Sequence, residues 1–351
     1  MRTLFIILLI SIVGVSQTHP IYRYGSQSVI YGNSIASDTT TDVYYNMTFN
    51  PNMWMPDTIY IAEGNSIEIY NNDITYVPYI KKNIFTYQWT STIGYDNGVS
   101  LIITGASVGN YTAKCVALLQ GSRTDSASTI IKVEAKKVLG SKVILPIGNS
   151  ITGIGWATMR PILSDSLNIT LTSIGTQGSG LDLNEGMSGW SYANFYNYGS
   201  PFWFSGGVDF PQYLTDNSFA DPDVVRMSCG IAECWYSNDY NNAITYATLL
   251  IDSVLTQLPS ANILISLPTT ESLTPAAVPV GDEIYILCMR NLHQAIFNKF
   301  AHGAYNARVD VNYDELVIDR TNGYPVNDVH PNTLGYQQLI RGTLNVINHI
   351  Y

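Results

Sequence analysis

Two short stretches hold the residue types that could do chemistry together. "VILPIGNSITGIG", residues 143–155, is an apolar run ending in a glycine and the polar pair Asn149-Ser150. "YPVNDVHPNTLGYQQL", from Tyr324, sets His330 in a Pro- and Asn-rich loop just before a final helical pattern. A serine hydroxyl is a weak nucleophile until a base takes its proton, and the oxyanion it then makes needs hydrogen-bond donors. Ser150 and His330 would supply nucleophile and base; the backbone N–H of Ser150 and that of a glycine opposite would begin the oxyanion hole. Of the five histidines, His19 adjoins the N-terminal apolar segment, His293 and His302 fall in or after a helix, and His349 is at the extreme end. Only His330 stands in a loop able to present a base. Taken alone, Ser150 reads more readily as the N-cap of a helix that follows a strand, and His330 with the glycine block "NEGMSGWS" reverses that preference.

The elements that must position these residues change character along the chain. From about residue 140, buried runs ("KVILPIG", "LNITLTSIG", "DVVRMSCG", "NILISLP") alternate with helical patterns such as "YNNAITYATLLIDSVLTQL" and "DEIYILCMRNLHQAIFNKF". Continuously apolar strands between helices predict a parallel sheet covered on both faces, a three-layer α/β/α domain over 140–351. Functional groups collect at the carboxyl ends of such strands. Here those ends are Gly148-Asn149-Ser150 and Gly230-Ile231-Ala232-Glu233. Residues 27–136 read instead as short strands and turns, a smaller all-β sandwich. Trp89 in a middle strand and Tyr111 shortly before Cys115 resemble an immunoglobulin-type sandwich. That module carries no evident chemistry and reads as a spacer or docking unit, with Lys136–Gly140 as the linker.

Over about residues 143–345 the chain resembles the SGNH (GDSL-type) hydrolases. "GNSIT" is similar to the nucleophile block. "NEGMSGWS" is similar to the second block, with Gly189 the match to its oxyanion-hole glycine; "VVRMSCGIAEC" resembles the strand ending in Gly-x-Asn-Asp. "NDVHPNTLGY" resembles the final Asp-x-x-His-Pro block, and "SPFWFSGGVDFPQYL" resembles the bacterial branch acting on carbohydrate esters. The resemblance implies a flavodoxin-like fold and a catalytic set of Ser150, His330 and Asp328, with the N–H groups of Ser150 and Gly189 as the oxyanion hole. Trp190, Trp203 and Trp235 fall in loops near such a site and could stack on sugar rings. Three departures bear on activity. Asn149 replaces the Asp of the first block; Ala232 stands where the family has an Asn that donates to the oxyanion; Asn327 stands where it has the Asp that orients the histidine. Asp328, one residue on, is the carboxylate nearest that role, although its position favours capping the next turn unless the loop is shifted. Glu233 reads as a hydrogen-bonded or solvated carboxylate.

Composition narrows the partners. Net charge is −10, and only 13% of the 351 residues are charged, so surface polarity falls to Asn, Ser, Thr, Gly and the 25 tyrosines. The 17 basic residues are scattered, which argues against nucleic acid. Four cysteines without CxxC spacing or a nearby histidine give no metal site, and no cofactor is expected. Cys115 reads as a buried apolar residue, whereas Cys229, Cys234 and Cys288 could hold one disulfide whose pairing the spacing leaves open. "MRTLFIILLISIVGVSQ", residues 1–17, has the pattern of a signal peptide or a retained hydrophobic leader. Two function classes fit. One is a secreted or surface serine esterase that deacetylates a polysaccharide or other acylated glycan. The other is a weak or inactive relative that binds glycan or serves as a structural surface component of a cell or virion, within a larger assembly or as a homo-oligomer.

Overall fold

Two strand patterns, one alternating and one continuously apolar, build different sheets. The computed structural model describes residues 22–24, 27–29, 53–70, 86–119, 122–269, 283–319, 322–325 and 330–351. Residues 1–17, read above as a signal peptide or retained hydrophobic leader, lie outside them. Among the described residues no helix is long and apolar enough to cross a membrane. Residues 1–52 and 53–351 form separate compact units. In the first, β1 (Tyr22–Tyr24) and β2 (Gln27–Val29) pair as an antiparallel hairpin.

The second unit opens with seven strands: β3 (Thr58–Ala62), β4 (Ile67–Tyr70), β5 (Thr86–Ser91), β6 (Tyr95–Asp96), β7 (Ser100–Ile103), β8 (Gly109–Leu119) and β9 (Ser122–Glu134). Strands β4 and β5 bury alternate residues, the period of a strand with one face on the core. One sheet has the order β3-β9-β8-β5, with β3 parallel to β9; the other has the order β4-β7-β6. Trp89 on β5 lies opposite Cys115 on β8, and both are buried. The Tyr111 hydroxyl donates to the Ser107 carbonyl at 3.0 Å, pinning the turn that enters β8.

The remainder runs β10 (Lys142–Gly148), α1 (Ser150–Leu167), β11 (Leu171–Ser173), β12 (Glu185–Gly186), α2 (Tyr192–Tyr196), β13 (Trp203–Phe204), β14 (Gly207–Val208) and α3 (Phe210–Asn217). Then come β15 (Val224–Ser228), α4 (Ile231–Ser237), α5 (Tyr240–Gln257), β16 (Asn262–Ser266), α6 (Glu283–Phe300), β17 (Val309–Asn312), α7 (Asp314–Val317) and α8 (Thr333–Ile350). The sheet order is β11-β10-β15-β16-β17, every neighbour parallel, with β12 beside the last residues of β10. Every residue of β15 and β17 is buried, the polar Arg226, Asp310 and Asn312 included, as in strands covered on both faces. Helix α1 packs on α8, and α5 packs on α6. Right-handed crossovers from β10 toward one sheet edge and from β15 toward the other place these pairs on opposite faces, giving an α/β/α fold. The order reverses between β10 and β15, so the crevice beyond their carboxyl ends is where a ligand site is expected.

Helix α8 also contacts the β-sheets. Asn345 Oδ1 accepts from Ala62 N and from Asn65 Nδ2, each at 3.0 Å. His349 Nδ1 lies 2.9 Å from Glu134 Oε2, and its ring stacks on Tyr60 with centroids 3.5 Å apart.

Candidate active site

Strand β10 delivers the chain to its switch point at Gly148. The next residue, Asn149, is extended and is the N-cap of α1: its Oδ1 accepts from Ile151 N at 3.0 Å. Ser150 is therefore the first helical residue, and its hydroxyl is spared the capping role. It lies half-buried with Oγ 2.9 Å from His330 Nε2. With the ring proton on Nδ1, the hydroxyl donates and Nε2 accepts, the arrangement a general base needs. His330 reaches this place because the loop before α8 is tied down. Asn332 caps α8 by accepting from Gly335 N at 3.0 Å, donates from Nδ2 to Asn322 O at 2.7 Å, and donates from its backbone N to Gly323 O at 2.8 Å. Asn327 and Asp328 lie outside the described residues.

The opposite wall comes from the loop after β12. Gly189 sits at φ +71°, and a Cβ built there would meet only the Tyr236 hydroxyl, at 3.8 Å. Backbone conformation, rather than space, requires glycine. The loop is held by Met187 N donating to Gly148 O at 2.8 Å and by a close approach of Gly153 to Gly186, where a Cβ on Gly153 would lie 2.7 Å from the Gly186 carbonyl. Beneath it, the fully buried Glu185 accepts from Thr176 N (2.6 Å), Thr176 Oγ1 (3.0 Å) and Tyr213 Oη (2.6 Å). Burial pushes its pKa up, against the pull of those donors. The sequence reading missed this brace; the signal was an acidic residue inside the "NEGMSGWS" block.

The third wall is α4, entered through Gly230 at φ +110°. Ala232 lines the cavity with its methyl group. Glu233 points inward, is 3% exposed, and accepts from Tyr192 N at 2.6 Å, so it links α4 to the loop that carries Gly189. Burial raises its pKa, partly offset by backbone N–H groups. The Cys234–Cys288 disulfide fastens α4 to α6, while Cys229 is a buried thiol whose pKa burial raises. Among the described residues no cluster of His, Cys, Asp or Glu is arranged to hold a metal ion.

These walls enclose a cavity of about 260 Å³ lined by Asn149, Ser150, Gly189, Ala232, Trp235, Tyr236 and His330, with Ile151, Ser188 and Ile231. Of the three tryptophans singled out above, Trp235 faces the cavity. Trp190 packs edge-on against Phe195 with centroids 5.0 Å apart and Trp203 lies in β13; neither lines it. Tyr236, which the sequence reading passed over, is 75% exposed at the rim. A hydroxyl paired with an imidazole, across a partly apolar cavity from Gly189, has the parts for nucleophilic acyl transfer.

No protein-family model matches the chain, and no curated protein does. Among solved structures, the chain is similar to a carbohydrate esterase family 3 protein from Talaromyces cellulolyticus (15% identity, 60% of this chain and 98% of that one, TM-score 0.40). It is also similar to a putative GDSL-like lipase from Parabacteroides merdae (15% identity, 61% and 100%, TM-score 0.40). A third similarity is to a carbohydrate esterase family 2 enzyme with a carbohydrate-binding domain from Corynascus thermopiles (14% identity, 82% and 91%, TM-score 0.38). All three TM-scores fall below 0.5, so the chemistry of this chain has to be read from its own atoms.

Proposed function

We propose that this chain is a serine esterase that removes short acyl groups, acetyl first, from a polysaccharide or other acylated glycan. The observation that carries the reading is the 2.9 Å contact between Ser150 Oγ and His330 Nε2 on a cavity wall facing Gly189. In this reading Ser150 attacks the ester carbonyl while His330 takes the hydroxyl proton. The N–H groups of Ser150 and Gly189 hold the oxyanion, and His330 returns the proton to the departing sugar oxygen. Water then attacks the acyl-Ser150 carbonyl as His330 takes its proton; the bond to Ser150 Oγ breaks, His330 returns the proton to Oγ, and the acid leaves. Trp235 and Tyr236 offer ring faces to a sugar at the cavity mouth. The apolar leader pattern favours a secreted or surface protein, and the β-sheets of residues 58–134 then serve as a spacer or docking module.

Ala232 favours a second reading. A methyl cannot donate, and losing one oxyanion donor typically costs ~10²–10³ in turnover. A nearly inactive relative could keep the cavity as a glycan-binding site on a cell or virion surface. One experiment divides the two. The purified full-length chain is assayed for acetate release from p-nitrophenyl acetate and from acetylated xylan, beside Ser150→Ala. Slow hydrolysis that disappears in Ser150→Ala supports the esterase. Equal rates in both proteins, or none in either, would sink it; glycan binding that survives Ser150→Ala and falls in Trp235→Ala would then support the binder.

A further inference from the structure

We propose that the side-chain amide of Asn149 is an oxyanion donor, supplying from the nucleophile side the hydrogen bond that Ala232 cannot give; the proposal rests on the esterase reading above. Asn149 is 5% exposed and is one of the residues lining the cavity, with Ser150, Gly189 and Ala232. Its Oδ1 is committed, accepting from Ile151 N at 3.0 Å at the start of α1. That bond settles which way the planar carboxamide lies, and its NH2 group is turned away from the helix end. Among the described residues Nδ2 has no hydrogen-bond partner, yet it is not one of the sealed, unsatisfied buried atoms such as Thr152 Oγ1 or Tyr192 Oη. Being unsealed, Nδ2 can donate to water while the cavity is empty. The partner open to it is whatever occupies the cavity.

The group that arrives there during acyl transfer is an oxygen acceptor. The tetrahedral carbon is bonded to Ser150 Oγ, so its oxyanion forms beside the residue adjoining Asn149 in the chain. Donors fixed before the reaction, in a site that excludes water, stabilise developing charge without reorganising. Asn149 is fixed in this sense because the helix cap holds its amide plane. No bond to Asn149 is made or broken: its two N–H bonds persist, and one of them donates to the oxyanion while the proton of Ser150 travels to His330. An aspartate at position 149 could cap α1 equally well but could only accept. The amide thus does what the block-one acid of the resembled family cannot, in a chain whose residue 232 is alanine.

The test is a cycle in the full-length chain with p-nitrophenyl acetate, reading kcat and KM separately. Asn149→Ser keeps a capping oxygen, so α1 retains its start, while the long amide donor is lost. Its kcat should fall by about 10²-fold with KM changed by less than about twofold, the signature of an interaction made only in the transition state. Asn149→Asp, which preserves both shape and cap, should fall at least as far and guards against misfolding of the serine variant. Ala232→Asn should recover most of the loss in the Asn149→Ser background and gain much less in the wild type, because both amides would serve one oxygen. Retention of kcat within about threefold in both Asn149 variants, against losses of this order for a missing donor, would overturn the proposal and leave the esterase reading intact. So would an Ala232→Asn substitution that multiplied the rate equally in both backgrounds. Turnover indifferent to Ser150→Ala would overturn both.

Discussion

The setting of His330 differs from that of His302 and His349, and the contrast separates chemistry from architecture. At the cavity His330 meets a hydroxyl: Nε2 lies 2.9 Å from Ser150 Oγ, with open volume beside the pair. Where α8 meets the β-sheets, histidines meet carboxylates and rings. His349 lies 2.9 Å from Glu134 and 3.8 Å from Asp310 and stacks on Tyr60; His302 lies 3.1 Å from Asp57 and 4.0 Å from Asp310. A histidine between carboxylates and an aromatic face has its ring nitrogens and orientation used in holding surfaces together. A histidine on a neutral hydroxyl beside a cavity has a proton to move. Residue type alone does not distinguish them; what each ring nitrogen faces does.

The largest effect should come from breaking the first setting. His330→Ala removes the base, and turnover of p-nitrophenyl acetate should fall by ~10³-fold or more, as removal of one member of a nucleophile–base pair does elsewhere. The urea unfolding midpoint should move by less than the equivalent of about 1 kcal/mol. A variant that kept turnover within about tenfold would show that His330 is not the base, since general-base groups contribute about 10²–10⁴-fold.

His349→Ala should do the reverse. It deletes the Glu134 contact and the Tyr60 stack, which together should cost about 1–2 kcal/mol in the urea unfolding free energy. Steady-state kcat should stay within about twofold of wild type, because the substitution lies outside the cavity and distant effects are close to independent. A matching loss of kcat would mean that the α8 contacts with the β-sheets set the geometry of the cavity, and the contrast between the two histidines would dissolve.

The serine–histidine pair and the parallel strands were legible because each follows a local rule. "KVILPIG" and the core of "NILIS" are too continuously apolar for half-exposed strands, and the carboxyl ends of strands in such a sheet locate a site. What was not legible depended on choices among neighbours that packing makes. Asn149 and Ser150 are both good capping residues, and only the fold shows the first taking the cap and leaving the second its hydroxyl. Three thiols in one half of the chain allow three pairings, and the disulfide is the one that brings α4 onto α6. Trp190 and Trp203 share their composition signal with Trp235, yet one spends its ring on Phe195, another lies in a two-residue strand, and only Trp235 borders the cavity. His349, near the chain end, gave no sequence signal because its partners come from segments far away along the chain, Glu134 among them at a separation of 215.

The smallest expected effect tests whether the α8 contacts are electrostatic as well as geometric. Burial alone would raise the pKa of Glu134, but hydrogen bonds from Lys132 and His349 outweigh it and hold the group below its ordinary value of 4.5. A carboxylate whose pKa is lowered in the folded state contributes stability that is present above its unfolded pKa and lost as pH falls through the folded one. Asp310, facing both histidines from β17, is shifted the other way, raised by burial despite backbone donors and the nearby imidazoles. Its contribution is therefore present below its unfolded pKa and lost as pH rises through the folded one, opposite in sign to that of Glu134. Whole-protein acid unfolding mixes the two, so the informative quantity is a difference. Glu134→Gln keeps the shape and a hydrogen-bond acceptor while removing the charge. The variant should be less stable than wild type at pH 7, by well under about 1 kcal/mol for so exposed a pair. The gap should begin to shrink as pH falls below about 4.5 and should vanish only below the folded pKa, which lies lower still. Urea titrations of both proteins at pH 7, 5 and 3.5 would measure it. A gap that stayed constant across that range would assign the role of Glu134 to packing and leave the contacts of His349 with no electrostatic share.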